Sequence, residues 1–312
     1  MKAVFMGTPD FSVKILEGMC AVTSVDFVIT QPDRERGRGH KLQSPPVAEY
    51  AKSNNIPFYQ PASVKSEEFI SFLRDAAPDI IVTAAYGQIV PKEILDIPTY
   101  GCVNIHGSLL PKYRGASPVQ QALINGDKVT GITLMKMDEK MDSGDVILMH
   151  PVEIEDNDNA ETLMNKLADT GAVMIKDYLT ALMMGKEISS YPQDHSLATY
   201  CKKIDKDSCK IDWSMPGEDI VNRIRAFSPA PCAFTFIKGT RCKVFGASCV
   251  KIEDNAAYTP GEIIKAHQDD LIVCSGDTTA VKIETIQPEG KRALKASEFM
   301  PGREISAGMR FE

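Results

Sequence analysis

Residues 103–118 read Val-Asn-Ile-His-Gly-Ser-Leu-Leu-Pro-Lys-Tyr-Arg-Gly-Ala-Ser-Pro, and a Tyr-Gly-Cys turn signal leads into them. The apolar positions at the start of this stretch predict a short buried strand that ends at a glycine. Because strand side chains alternate between faces, Asn104 and His106 project from one face near the strand's carboxyl end. In open parallel sheets the ligand crevice lies at the carboxyl ends of the strands. We therefore expect an amide and an imidazole side by side where a substrate can reach them.

A second feature, Met-Asp-Ser-Gly-Asp from Met141, supplies a carboxylate. An amide N–H can stabilise a developing oxyanion, imidazole can exchange a proton near neutral pH, and Asp142 can orient the imidazole and favour its protonated form. No serine or cysteine stands in a recognisable nucleophile elbow, which favours direct attack of an amine on an acyl carbon over a covalent acyl-enzyme. An Asn-x-His pattern alone is more often a hydrogen-bonded polar pair. Its flanking residues and the Asp142 loop favour a catalytic site here.

The organisation of the chain predicts two domains. Up to about residue 185, short apolar runs alternate with helical patterns, which indicates an α/β domain with a doubly wound, mostly parallel, Rossmann-like sheet. Beyond a polar segment, short β-like runs separated by Gly, Asp and Pro predict a small β-barrel. We expect a catalytic domain at 1–189, a linker at 190–205 and a C-terminal domain at 206–312, with Trp213 in a structural role.

The composition of the chain limits the classes of function that it can have. The chain is 43% hydrophobic and 25% charged, and it holds no apolar run of the roughly 18–20 residues that span a bilayer. Its eight cysteines form no C-x-x-C or zinc spacing, so we expect reduced thiols, no metal and a cytoplasmic location. The net charge of −7 argues at first against nucleic acid, but most of the acidic excess falls in the first 200 residues. RNA binding is therefore allowed but not required. No membrane and no obligate protein partner are implied.

Residues 33–41, Asp-Arg-Glu-Arg-Gly-Arg-Gly-His-Lys, are the most basic segment of the first half. They follow the second predicted strand and so open on the same edge as the Asn-His pair. A charge run alone is usually a solvated loop. Arginine suits phosphate and base contacts, however, and two glycines free the backbone around Arg38. The glycine after the first strand, Gly7, has no G-x-G-x-x-G pattern with it, which excludes a dinucleotide cofactor.

These residues closely resemble the folate-dependent formyltransferase superfamily, whose hallmark is Asn-x-His-x-Ser-Leu-Leu-Pro followed by an Asp-containing loop. The basic loop and the C-terminal region resemble the members that formylate an aminoacyl-tRNA. The resemblance runs nearly end to end and includes Gly7-Thr8-Pro9-Asp10-Phe11, Gln31-Pro32-Asp33-Arg34, Ala85-Tyr86-Gly87-Gln88-Ile89-Val90-Pro91, Lys210-Ile211-Asp212-Trp213 and Arg223-Ile224-Arg225-Ala226-Phe227.

The resemblance implies roles for particular residues and an OB-like C-terminal barrel at 206–312 that contacts the tRNA. Asn104, His106 and Asp142 would be catalytic. The co-substrate would be 10-formyltetrahydrofolate, in contact with Ser108, Leu109, Leu110 and Pro111 and with the turn formed by Tyr86, Gly87 and Gln88. The acceptor would be the initiator methionyl-tRNA, held by Arg34, Arg36, Arg38 and Lys41. Glu35 is an acidic residue within this basic loop, so the contributions of Arg34 and Arg36 to tRNA binding stay open.

Two other interpretations of the sequence stay open. One is a related enzyme with the same core, either a sugar-amine formyltransferase or a formyl-folate hydrolase. The other is a non-catalytic RNA-binding protein that uses the barrel and the basic loop. The intact Asn-His-Asp set argues against the RNA-binding protein, and the basic loop argues against a small amine as acceptor.

Overall fold

The structure is a computed structural model that describes residues 1–36, 41–252 and 258–312. The chain divides into two compact units. One comprises residues 1–118, 129–153 and 164–201, and the other comprises residues 119–128, 154–163 and 202–312. Among the described residues, no helix is both long and apolar enough to cross a membrane.

The part of the chain up to residue 201 contains both strands and helices. They are β1 (Ala3–Gly7), α1 (Asp10–Cys20), β2 (Val25–Ile29), β3 (Arg34–Arg36), β4 (Lys41–Gln43), α2 (Pro46–Ser53), β5 (Phe58–Tyr59), α3 (Glu67–Ala76), β6 (Ile80–Ala84), α4 (Lys92–Leu95), β7 (Cys102–His106), β8 (Arg114–Gly115), α5 (Pro118–Ile124), β9 (Val129–Lys136), β10 (Val146–Glu153), α6 (Ala160–Met183) and β11 (Tyr200–Cys201).

The first unit is built on a seven-stranded sheet in the order β10-β9-β7-β6-β1-β2-β5. The five strands from β7 to β5 pair in parallel, whereas β9 is antiparallel to both of its neighbours. Strands β1 and β6 are buried at every position, as expected for central parallel strands covered on both faces. The predicted α/β unit with a mostly parallel sheet is therefore confirmed.

Local signals explain where the helices begin and end. The Ser66 hydroxyl accepts a hydrogen bond from the Phe69 amide at 3.4 Å and caps α3, whose first turn carries Glu67 and Glu68. The helix ends where Ala77 takes a left-handed conformation, with φ of 46°. Its buried face, Phe69, Ile70 and Leu73, joins the apolar cluster beside the sheet.

The second unit carries a six-stranded antiparallel sheet in the order β12-β13-β16-β15-β14, with β17 also paired to β16. Trp213 is buried in this unit, donates from Nε1 to the Thr235 hydroxyl at 3.0 Å and stacks on Phe311. The elements here are α7 (Gly217–Phe227), β12 (Ala233–Ile237), β13 (Thr240–Lys251), β14 (Ile263–His267), β15 (Asp270–Cys274), β16 (Thr279–Pro288), β17 (Leu294–Lys295) and α8 (Ala296–Phe299).

Candidate active site

His106 is the last residue of β7 and is almost completely buried, with 6% of its surface exposed. Its Nε2 lies 2.9 Å from the main-chain carbonyl oxygen of Tyr113. Because a carbonyl oxygen only accepts, Nε2 carries the proton and donates it. Nδ1 is therefore the ring nitrogen that is left to gain or lose a proton.

Asp142 lies in the loop between β9 and β10, and its Oδ2 is 3.7 Å from Nδ1 of His106. That separation is too long for a hydrogen bond, but it leaves the carboxylate facing the free nitrogen of the ring. The same oxygen accepts the Gly115 amide proton at 2.8 Å. The structure thus brings together the imidazole and the carboxylate that the sequence analysis places in one site.

Asn104 shares a face of β7 with His106, two residues away, and is partly exposed. Its Oδ1 accepts a hydrogen bond of 2.8 Å from the hydroxyl of Thr83, the residue paired with it on β6. The contact fixes the amide with its oxygen towards Thr83 and its two N–H donors on the opposite side. The sequence analysis missed Thr83, although a hydroxyl within the apolar run Ile-Ile-Val-Thr-Ala is a visible signal.

The residues after β7 that are predicted to contact folate lie in a loop that hydrogen bonds hold in place. The fully buried Ser108 donates from its hydroxyl to the Lys112 carbonyl at 2.6 Å, and its own carbonyl accepts from the Thr133 hydroxyl at 2.7 Å. Leu110 is buried, whereas Leu109 and Pro111 are partly exposed. These bonds set the path of the loop and so place the Tyr113 carbonyl against His106. Their contact with folate stays a prediction.

The other predicted folate contact is the turn after β6. The Thr8 hydroxyl donates to the Tyr86 carbonyl at 2.8 Å, which ties this turn to the one after β1. Gly87 is exposed with φ of 91°, and Gln88 accepts from the Val64 amide at 3.1 Å. Tyr86 lies in the apolar cluster, where burial raises the pKa of its phenol. Its hydroxyl has no hydrogen-bond partner among the residues that the structure describes.

A cavity of about 710 Å³ opens beside the Asp142 loop. Its size falls in the usual range for small-molecule sites. The loop residues Asp138–Met141 and Ser143 form one side, and the end of α4 contributes Lys92, Leu95 and Asp96. Apolar surface comes from Leu95, Met137 and Met141, and Arg114 and Tyr200 complete the lining together with His195. The cavity therefore has a mixed apolar and charged lining, which includes Met141 and Ser143 on either side of Asp142 but not Asn104, His106 or Asp142 itself.

The predicted basic loop is only partly described. Strands β3 and β4 pair antiparallel within it, so that Arg36 lies opposite Lys41 in the register. Arg34 is exposed and donates to the side-chain oxygen of Gln31 at 3.2 Å. Arg38 lies outside the described residues. The tRNA contacts of Arg34, Arg36, Arg38 and Lys41 stay a prediction.

Within the described ranges, no group of three or more His, Cys, Asp or Glu side chains is placed to hold a metal ion.

The sequence of this chain is similar to those of known enzymes. Residues 1–179 match the family described as formyl transferase, and residues 203–304 match the formyl transferase C-terminal domain. A methionyl-tRNA formyltransferase of Acetivibrio thermocellus is 45% identical over 99% of this chain and 98% of its own length. The enzyme of the same name from Bacillus subtilis is 41% identical over 98% of this chain and 96% of its own.

Solved structures with the same fold are more distant in sequence. An N-formyltransferase from Helicobacter canadensis, in complex with folinic acid and dTDP-3-aminofucose, superposes with a TM-score of 0.65 at 18% identity, covering 92% of this chain and 99% of its own. HypX from Aquifex aeolicus, in complex with tetrahydrofolic acid, gives a TM-score of 0.61 at 16% identity, covering 96% of this chain and 47% of its own. At these identities the likeness concerns the fold alone.

Proposed function

Since this chain belongs to the formyl transferase family, and among its members to the methionyl-tRNA formyltransferases, we propose that it transfers the formyl group of 10-formyltetrahydrofolate to the α-amino group of methionyl initiator tRNA. The observation that carries the proposal is the set of Asn104, His106 and Asp142 at one edge of the first unit's sheet, with the imidazole 3.7 Å from the carboxylate. We place the reaction in the cytoplasm, where aminoacyl-tRNA is used.

The proposed reaction is a direct attack of the α-amine on the formyl carbon. An α-amino group has a pKa of about 7.7–8.0, so a useful fraction is neutral near pH 7. As the new N–C bond forms, negative charge develops on the formyl oxygen and Asn104 donates an amide N–H to it. His106 takes the amine's surplus proton on Nδ1, where the negative Asp142 stabilises the resulting imidazolium. That proton then passes to the folate nitrogen as the original C–N bond breaks.

The cavity beside Asp142 fits the formyl donor. Its apolar side chains, Leu95, Met137 and Met141, suit a flat heterocycle. Lys140 suits a carboxylate of a glutamate tail, whereas Lys92 is already paired with Asp96 at 3.0 Å. We propose this cavity, with the turn at Tyr86–Gln88 and the loop at Ser108–Pro111, as the folate site.

The acceptor is proposed to contact both units. In the first unit, the cations proposed to contact the tRNA are those of residues 33–41, which follow β2 in the sequence. We also propose an OB-like fold for residues 206–312 and RNA contacts by Lys202, Lys203, Lys206 and Lys210. Arg225 is a poorer candidate for RNA because it donates to the Glu155 carbonyl at 3.2 Å and to Asn222 at 3.1 Å within the second unit. Burial lowers the pKa of its guanidinium.

The acceptor specificity tests the proposal. The purified protein is supplied with 10-formyltetrahydrofolate and, in parallel reactions, methionyl initiator tRNA, methionyl elongator tRNA or a nucleotide-linked amino sugar. We expect the highest kcat/KM with the initiator tRNA. A higher kcat/KM with the amino sugar would overturn the acceptor, and rapid release of formate without any acceptor would favour the hydrolase.

Thr83→Val tests how the amide of Asn104 is held. Valine keeps the shape of threonine but removes the hydroxyl, so Asn104 loses the 2.8 Å bond that fixes its orientation. We expect kcat to fall by about 10-fold, since a misdirected donor stabilises the oxyanion less well. KM for both substrates should change little. Steady-state kinetics measures both constants, and an unchanged kcat would show that Thr83 does not orient Asn104.

Arg38→Ala tests whether the basic loop binds the tRNA and not the folate. Loss of one charge-assisted hydrogen bond to phosphate costs about 1.5–3 kcal/mol, which corresponds to a rise of roughly 10- to 100-fold in the Kd for tRNA. The affinity for folate should be unchanged, and tRNA binding should weaken as salt is added. Arg74→Ala, an exposed arginine on α3, is the matched control. Equal losses of folate and tRNA affinity would assign the loop to the folate site.

A further inference from the structure

The segment at residues 190–201, predicted as part of a linker, is attached to the loop that carries Asp142. Val146, directly after this loop, exchanges two main-chain hydrogen bonds of 2.8 and 3.0 Å with Tyr191. The Ser190 hydroxyl lies 3.3 Å from Oδ2 of Asp145. At its other end, the segment forms β11, which pairs in parallel with β8. The segment therefore holds two neighbouring parts of the site, the loop that carries Asp142 and strand β8.

Gln193 is the residue of this segment that reaches Asp142. Its side chain is buried, with 6% exposed, and its Nε2 donates to the main-chain carbonyls of Asp142 at 3.0 Å and Gly144 at 2.8 Å. Both amide hydrogens are thus used on the Asp142 loop. Buried hydrogen bonds of this kind leave the loop little freedom, because losing them would strand two carbonyl oxygens away from water.

The other end of the Gln193 amide is held by Arg114. Oε1 accepts from Nε of Arg114 at 3.2 Å and from its Nη2 at 2.6 Å. Nη2 also donates to Nδ1 of His195 at 2.9 Å. With only 3% of its surface exposed, Arg114 is a buried cation that binds a neutral amide. A guanidinium presents its donors in a rigid fork, so it fixes the plane of the glutamine amide.

Asp142 is consequently held at two points by adjacent residues of one strand. The Gly115 amide binds its carboxylate directly at 2.8 Å, and Arg114 binds its main-chain carbonyl through Gln193. Asp142 has φ of 51°, a left-handed conformation, and these contacts hold it in that conformation. Gly115 itself has φ of 119°, and a Cβ there would lie 2.3 Å from the Cys201 carbonyl oxygen. A larger residue at position 115 is therefore excluded.

We propose that Gln193 is a positioning residue for formyl transfer, which holds the Asp142 carboxylate at its distance from Nδ1 of His106 by binding the Asp142 and Gly144 carbonyls. The inference rests on the proposed function of Asp142. Gln193 acts through Asp142, and its loss should lower kcat and leave the binding of both substrates in place. Displacing a reacting group by about 1 Å can cost 10²-fold in rate.

Gln193→Glu separates this role from a purely structural one. A glutamate can still accept from the Arg114 guanidinium, so the buried cation keeps a partner and gains a charge-assisted bond. It cannot donate, however, and its second oxygen would face the Asp142 and Gly144 carbonyls. We therefore expect a folded enzyme of lower thermal stability than the wild type, because two carbonyl oxygens lose their donor, and a kcat about 10²-fold lower, with KM for methionyl-tRNA nearly unchanged. Gln121→Glu, the same change on α5, is the matched control.

A double-mutant cycle with Asp142→Asn completes the test, measured as single-turnover rates with excess enzyme. If Gln193 acts through Asp142, Gln193→Glu should cause little further loss once the carboxylate is gone. Gln193→Met, which keeps the length without a charge, is measured in the same cycle in case the glutamate variant misfolds. Wild-type kcat in a folded Gln193 variant, or an equal fold loss in both backgrounds, would overturn the positioning role. Wild-type activity of Asp142→Asn would instead overturn the proposed catalytic role of Asp142, on which this inference rests.

Discussion

Replacing Asn104 by alanine should lower kcat by about 10²- to 10³-fold, the usual effect of removing one oxyanion donor. In the proposed reaction, Asn104 is the only residue that donates a hydrogen bond to the formyl oxygen. Its side chain is partly exposed and is held by the Thr83 hydroxyl, which in the variant can still bind the Val103 carbonyl 3.2 Å away. The free energy of unfolding should therefore fall by less than about 1.5 kcal/mol. Single-turnover formylation and thermal unfolding measure the two quantities.

A matched control separates the loss of an amide from the loss of the oxyanion donor. Asn54 binds the Tyr50 carbonyl at the exposed end of α2, away from the site, and Asn54→Ala should keep wild-type kcat. If folded Asn104→Ala turns over at a rate near that of the wild type, the oxyanion assignment is wrong.

Asp142→Asn should lower kcat by about 10²- to 10⁴-fold, the range for groups that handle protons in catalysis. Asparagine tolerates the left-handed conformation of residue 142, and its side-chain oxygen can still accept from the Gly115 amide. The variant therefore removes the negative charge while it preserves the shape of the loop. Without that charge 3.7 Å from Nδ1, the imidazolium that forms in the proposed reaction loses its carboxylate partner.

The control for this variant is Asp156→Asn. Asp156 is also a loop aspartate in an ion pair, with Lys128 at 2.9 Å, but it is exposed and belongs to the second unit. It should retain wild-type kcat. Folded Asp142→Asn with unchanged kcat would mean that His106 works without a carboxylate partner.

The sequence predicted the elements with strong local patterns. The apolar positions after Gly101 predicted a short buried strand that ends at a glycine, and β7 ends at His106, directly before Gly107. Alternation along β7 also placed Asn104 and His106 on one face. The position of Asp142 beside His106 came from the resemblance to a family, since no local pattern relates residues 36 positions apart.

What the sequence could not show depends on contacts between distant residues. Strands β8 and β11 are two residues long and pair across 86 positions, which is too short for any alternation. The polar composition of residues 190–205 indicated a linker, and it hid Gln193, whose role depends on Arg114 79 positions away. The assignment of residues 119–128 and 154–163 to the second unit likewise has no local signal.

The fate of a labelled formyl group tests the central claim most directly. The protein is mixed with 10-formyltetrahydrofolate labelled in the formyl carbon and with methionyl initiator tRNA, and the reaction is quenched within a single turnover. We predict that the label appears in N-formylmethionyl-tRNA in equal amount to the tetrahydrofolate released, with none bound covalently to the protein. Label recovered as formate, or attached to the protein as a formyl-enzyme, would contradict direct transfer at the site formed by Asn104, His106 and Asp142.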